Sequence, residues 1–182
     1  MVSTQTPFGL ITSFKGAAKP FDGSLPVLGS FGTVTYAKKD LITRNQSWVD
    51  KFKVIFSVAS AEHAGQPDKN GQFRLLTSLQ ILPPKMVCTQ TFLVCGTFDN
   101  EAAAKNCVKY LQSKFLRFLV VHAMTAQHIG ADKFQFVPFQ DFESNKDLDW
   151  DEKEKSIDEQ LYSNFKLSQP EIDFIESTIK PL

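Results

Sequence analysis

Three cysteines, three histidines and two tryptophans are all that this 182-residue chain holds of those types. No apolar run reaches the roughly 18 to 20 residues that a bilayer-crossing helix needs. Cys88, Cys95 and Cys107 form an odd set without C-x-x-C spacing. That argues against a disulfide framework and against a zinc site, and makes a reducing cytoplasm the expected setting. The first residues, MVSTQTPFGLITSFKG, lack the basic start and apolar block of a secretory signal. His122 and His128 are six apart, on opposite faces of any helix, and His63 sits in loop-like AEHAGQ. No H-E-x-x-H or other metal spacing occurs, so no metal ligand is expected. Gly29-Ser-Phe-Gly32 is too short for a phosphate loop, and no nucleophile motif supports a Ser–His–Asp or Cys–His arrangement. Leu82-Pro-Pro-Lys85 has no preceding Asn or Asp and no following aromatic. It is therefore not the N-P-P-aromatic motif with which amino-methyltransferases hold a flipped adenine. No residue of the chain is expected to be catalytic.

What the chain does have is apolar bulk, at 42% hydrophobic residues with 17 Phe, which is enough for a real core. Its zero net charge hides an asymmetry. Residues 1–140 carry 15 Lys/Arg against 8 Asp/Glu, whereas residues 141–182 carry 5 against 12. A basic body with an acidic end fits a face that binds a polyanion, or simply an acidic tail that solvates itself.

Residues 1–32, rich in Gly, Pro, Ser and Thr, read as loop with short extended pieces. Strands are expected at Thr33–Ala37, Lys53–Ala59, Phe73–Leu82 and Val87–Phe98. A short helical turn is expected near Trp48, and a loop at Ala64–Gln72. From Asn100 to about His128, apolar residues recur at helical spacing, with Asp99 as N-cap and Gly130 as stop. The QSKFLRF stretch allows a break within it. Phe134–Phe139 reads as a strand burying Phe134 and Phe136 on one face. Ser156–Glu159 and Ser168–Glu171 each match a capping box that starts a helix. The expected fold is one α+β domain: a mixed or antiparallel β-sheet, a long central helix and two C-terminal helices, with 143–182 as its acidic helical end.

Asp141, Glu143 and Lys146 offer a carboxylate–lysine set of the kind a Mg²⁺-dependent nuclease uses. The spacing is E-x-x-K rather than E-x-K, and Asp147, Asp149 and Asp151 follow, which favours a solvated acidic loop. Basic and amide side chains are the other resource. Lys105, Lys109 and Arg117 fall near one helix face with Lys114 adjacent, and Lys51, Lys53, Arg74 and Lys85 punctuate the strands. Gln90, Thr91, Gln127, Gln135 and Gln140 can both donate and accept hydrogen bonds. Nucleic-acid recognition uses that mixture, with cations on phosphates and amides on base edges. Lysines on a helix face are also what any solvated helix carries.

Six segments, in order, carry a resemblance: PFGL (Pro7–Leu10), WVDKFKV (Trp48–Val54), CTQTFLVCGTFDNEAAAKN (Cys88–Asn106), YLQSKFLRFLV (Tyr110–Val120), TAQHIGADKFQFVPFQDF (Thr125–Phe142) and QLYSNFKLSQPEIDFIESTIKPL (Gln160–Leu182). Together they resemble the C-terminal target-recognition region of bacterial restriction–modification adenine-N6 DNA methyltransferases. The similarity runs over nearly the whole chain and is weakest around Ala61–Ser78.

The resemblance implies that residues 1–182 are a DNA-specificity region, a fragment of a larger enzyme, inactive alone. S-adenosylmethionine, the N-P-P-aromatic motif and, in some members, an endonuclease would reside in other domains. The expected partners are double-stranded DNA and the parent's methyltransferase domain, with no membrane. The candidate DNA-binding residues are Lys51, Lys53, Arg74, Gln90, Thr91, Lys114, Arg117, Gln127, His128 and Lys133. Two other readings stand beside it: a stand-alone Mg²⁺-dependent restriction nuclease, and a small-ligand or protein-interaction domain with a Phe-lined pocket.

Overall fold

A computed structural model of the chain describes residues 2–58, 66–124, 129–144 and 146–182. It shows the α+β class. The chain divides into two compact units, one of Met1–Val58 with Ser78–Ala104, the other of Ala59–Thr77 with Lys105–Leu182.

The first unit holds two three-stranded sheets. Strands β1 (Ser24–Leu28) and β2 (Val34–Lys38) form an antiparallel hairpin, in register from Ser24 opposite Lys38 to Leu28 opposite Val34. β3 (Phe52–Ser57) is the middle strand of the other sheet, between β4 (Gln80–Leu82) and β6 (Phe92–Phe98), both antiparallel to it. The two-residue β5 (Val87–Cys88) lies parallel to β1 and completes the first sheet in the order β2-β1-β5. Four successive β3 residues, Lys53 to Phe56, are buried, so both faces of this central strand are covered. The β3–β6 ladder slips by one residue between Val54 and Ile55, which leaves Cys95 as an extra residue on β6. Phe8, Leu10, Val27, Ile42, Ile55, Val87 and Val94 are among the buried residues of this unit's core.

The 1–32 region thus contains a strand that its composition conceals. β1 reads Ser-Leu-Pro-Val-Leu, and its proline withholds one ladder donor. The expected Val87–Phe98 strand is two strands in different sheets, split by a turn in which the Phe92 N–H donates to the Thr89 carbonyl. Of the expected Phe73–Leu82 strand only Gln80–Leu82 is extended in a sheet. Leu76 adopts a left-handed conformation (φ 56°), which no strand tolerates.

Helix α1 (Glu101–Gln112) is capped by Asn100, whose Oδ1 accepts the Ala103 N–H at 2.8 Å. Asp99, the expected cap, pairs with Lys51 instead. The long helical pattern breaks at Ser113, the N-cap of α2 (Lys114–His122), whose hydroxyl accepts the Leu116 N–H. α2 ends at His122, well short of Gly130.

In the second unit α2 packs against α3 (Ile157–Asn164) and α4 (Gln169–Thr178). Both of these helices begin with the expected capping box. Phe115 stacks on Phe165 with ring centres 4.9 Å apart, and Phe118 meets Phe174 edge-on at 5.5 Å. An isolated parallel bridge between Phe73 and Ile179 fastens the segment after α4. The expected Phe134–Phe139 strand is absent. Ala131–Phe134 is a 3-10 turn, and the Val137 N–H bonds back to the Phe134 carbonyl. Among the described residues no strand pairs with it; Phe136, expected to be buried, is 65% exposed, and Phe139 is 83% exposed.

One contact ties α3 to the start of α2. The Asp158 carboxylate accepts the backbone N–H groups of Lys114 and Phe115 at 3.0 and 2.9 Å. Burial pushes its carboxyl pKa up, against the pull of those two donors. Asp158→Ala strands both donors at a helix N-terminus. It should lower unfolding stability by about 1–3 kcal/mol, read from urea melts.

Candidate nucleic-acid interface

Lys51, Lys53, Gln90 and Thr91 belong to the first unit. Lys51 ends β3's approach and holds Asp99 at 3.0 Å, a half-exposed pair. Lys53 sits on the central strand with both faces covered, so its side chain has nowhere to go but inward. It is fully buried, and its Nζ donates to the carbonyls of Val49 and Pro83, each at 3.0 Å. Desolvation lowers its pKa from the ordinary 10.5 to about 8, partly offset by the nearby Cys88 and Asp50. Gln90 is half-buried, and its backbone N–H donates to Leu10. The Thr91 hydroxyl meets Ser30 Oγ at 2.9 Å and Thr89 Oγ1 at 3.1 Å.

In the second unit, Arg74 is exposed. Lys114 pairs with Glu176, and Lys133 pairs with Asp132 at 2.7 Å. Arg117 is 2% exposed. Its Nε donates to Gln112 and Ser113 carbonyls and its NH1 to the Lys180 carbonyl at 2.8 Å. Burial brings its pKa down to about 10. Gln127 and His128 lie outside the described residues. The candidate set therefore does not consist of free surface cations. Lys53 and Arg117 face the interior, while Lys51, Lys114 and Lys133 are each held by a carboxylate.

Another basic grouping emerges from the strand pairing. Ala17 and Tyr36 exchange backbone hydrogen bonds at 2.8 and 2.9 Å in an antiparallel bridge. Lys15, two residues before Ala17, therefore comes to the same end of β2 as Lys38, two residues after Tyr36. Lys39 follows directly, and Lys19 lies toward the other end. All four lysines are exposed, with Asp22 and Asp40 the acids nearest in sequence. The period-2 alternation of β2 puts Val34, Tyr36 and Lys38 on one face and the buried Ala37 on the other. The sequence signal was the Lys-Lys pair closing the TYA strand. The pairing of Lys15 across a loop-like segment left no local trace.

The β1–β2 connection carries a further feature. Phe31 and Gly32 are both left-handed, at φ 57° and 74°, and the Thr33 N–H closes the turn onto the Ser30 carbonyl. Phe31 is fully exposed.

The acidic loop is organised by its own groups. Asp141 accepts the Glu143 N–H at 2.9 Å and the Ser144 hydroxyl at 2.7 Å, and these donors hold its carboxyl below the usual range. Trp150 Nε1 donates to the Asp141 and Ser144 carbonyls. Among the described residues no group of three His, Cys, Asp or Glu could hold a metal ion, and no helix is long and apolar enough to cross a membrane. No known protein family, curated protein or solved structure matches the chain.

Lys53 gives a pH signature. Below about pH 8 it is charged in both folded and unfolded chains, and the burial cost is felt in full. Between about 8 and 10.5 the unfolded chain holds more protons than the folded one, so stability rises with pH. Lys53→Met lacks this rise. Wild type should gain on that variant across the window, by up to about 3 kcal/mol, in denaturation compared at the two ends.

Proposed function

We propose that this chain is a sequence-specific DNA-recognition region of a restriction–modification adenine-N6 DNA methyltransferase, with no catalytic group of its own. In this reading it works in the bacterial cytoplasm beside a methyltransferase domain that binds S-adenosylmethionine. The ordered resemblance of six segments supports the parentage. The structural observation that carries DNA binding is the lysine group of the β2 edge, where pairing gathers Lys15, Lys38 and Lys39 at one end, with Lys19 toward the other. Exposed lysines along a strand edge neutralise phosphates without sequence preference, releasing counterions as they do so. Amides and aromatic groups then read the bases.

Of the expected contacts in the first unit, Gln90 and Thr91 keep a place in this reading. Lys53 and Arg117 leave it, because their charges are met by backbone carbonyls in the interior. The nuclease reading draws no support from Asp141, whose carboxylate oxygens are engaged in closing their own loop.

Fluorescence anisotropy with a mixed-sequence duplex across a salt series tests the proposal. The affinity of the full chain should fall steeply with salt. The triple variant Lys15→Glu, Lys38→Glu, Lys39→Glu should weaken binding to all sequences and flatten the log–log salt slope by about 3. A variant that binds as wild type does would move the interface off this edge.

A further inference from the structure

We propose that the turn Gly29–Thr33 is a DNA wedge, with the Phe31 ring inserting against the base stack of a duplex docked on the basic β2 edge. This inference rests on the DNA-binding reading above and names the residue that would deform the duplex.

The turn breaks a local rule. Left-handed backbone at both central positions is the pattern of a type I′ turn, which favours Asn-Gly. Gly32 fits, but the first central position holds a phenylalanine at φ 57°, ψ 25°. A bulky residue there is a genuine outlier. The ring gains nothing from the fold in return, because it is as exposed as in an extended peptide, at 103%. Strain combined with an unburied aromatic ring costs stability, and such costs persist where a site needs them.

The turn is also built to hold its shape. Gly29 N–H donates to the Thr33 carbonyl at 2.8 Å, and the Thr33 hydroxyl donates to the Ser30 carbonyl at 2.9 Å. Ser30 Oγ meets Thr91 Oγ1, which meets Thr89 Oγ1, and the Thr89 N–H donates to Leu28. A Cβ at Gly29 would lie 2.9 Å from Thr33 Oγ1, so a side chain there would displace the hydroxyl that braces the turn. A ring on a turn pinned this way loses little freedom on insertion, which is what a wedge needs. Thr91 and the half-buried Gln90 lie in the strand connection to which the turn is pinned.

Apolar wedges unstack a base step at the cost of a few kcal/mol, a cost reduced where the stack is already weakened. The probes are a mixed-sequence duplex and the same duplex with one central mismatched pair. The full-length wild type should prefer the mismatched duplex. Phe31→Ala should lose that preference and bind it about 5- to 100-fold more weakly, with the salt slope unchanged. Phe31→Trp should restore the preference, and its added emission should be quenched as DNA saturates. Phe31→Gly should match Phe31→Ala in binding while its urea midpoint stays level or rises. Equal binding of both duplexes by wild type and Phe31→Ala, or unchanged Phe31→Trp emission at saturation, overturns the wedge and leaves the DNA reading standing. A wild type that binds neither duplex at low salt overturns both.

Discussion

A cation taken out of water must be met by oxygen, and in both units that oxygen comes from the backbone. Lys53 and Arg117 are each buried without a hydrogen-bonded carboxylate. Carbonyls turned away from regular ladders converge on them instead. Lys53 joins the residues leading into β3 to the Pro83 turn after β4. Arg117 joins the α1–α2 break to the segment beyond α4. These carbonyls lie at turns and chain breaks, so each cation fixes irregular backbone that lies outside the sheet ladders and helices. Among the described residues no buried side-chain nitrogen or oxygen lacks a hydrogen-bond partner. The Val49 and Pro83 carbonyls also accept the N–H groups of Lys85 and Met86, so Lys53 ties two turns together as a second donor to each.

The parts of the fold that read clearly from sequence were those decided locally. Both capping boxes form as written, because Ser and Glu three apart need only their own turn. β2 and β3 lie within about a residue or two of where β-branched and aromatic runs placed them. The errors fall where distant chain decides. Phe134–Phe139 has strand composition but pairs with no strand among the described residues, so it folds onto itself. β1 has poor composition but two partners, so it extends. The cations divide similarly. A lysine on a middle strand and one on an edge strand look alike in sequence, yet Lys53 is interior and Lys38 exposed. The Gly29–Gly32 stretch showed only as a weak glycine pair, because the strain at Phe31 is a property of the backbone and not of the residue list.

Buried and exposed cations thus do different structural work. Lys53 and Arg117 hold irregular backbone, while surface lysines and a strained aromatic turn remain outside. Local agreement between residue and conformation is the rule in folded chains, and departures concentrate where a surface must act. Phe31 is such a departure in the first unit. Its support by hydroxyls from the Thr89–Thr91 turn shows that neighbouring chain maintains the conformation.

The β2 edge has a second physical meaning. An edge strand offers unpaired backbone groups to any other strand that approaches, including one from an identical molecule. Ala17 covers that edge at only one bridge. The lysines at its end repel a second copy while attracting a polyanion. Electrostatic repulsion between like edges and attraction to any polyanion are therefore one property seen by two visitors, and a sequence that surrendered those charges would exchange a cationic edge for a self-adhesive one.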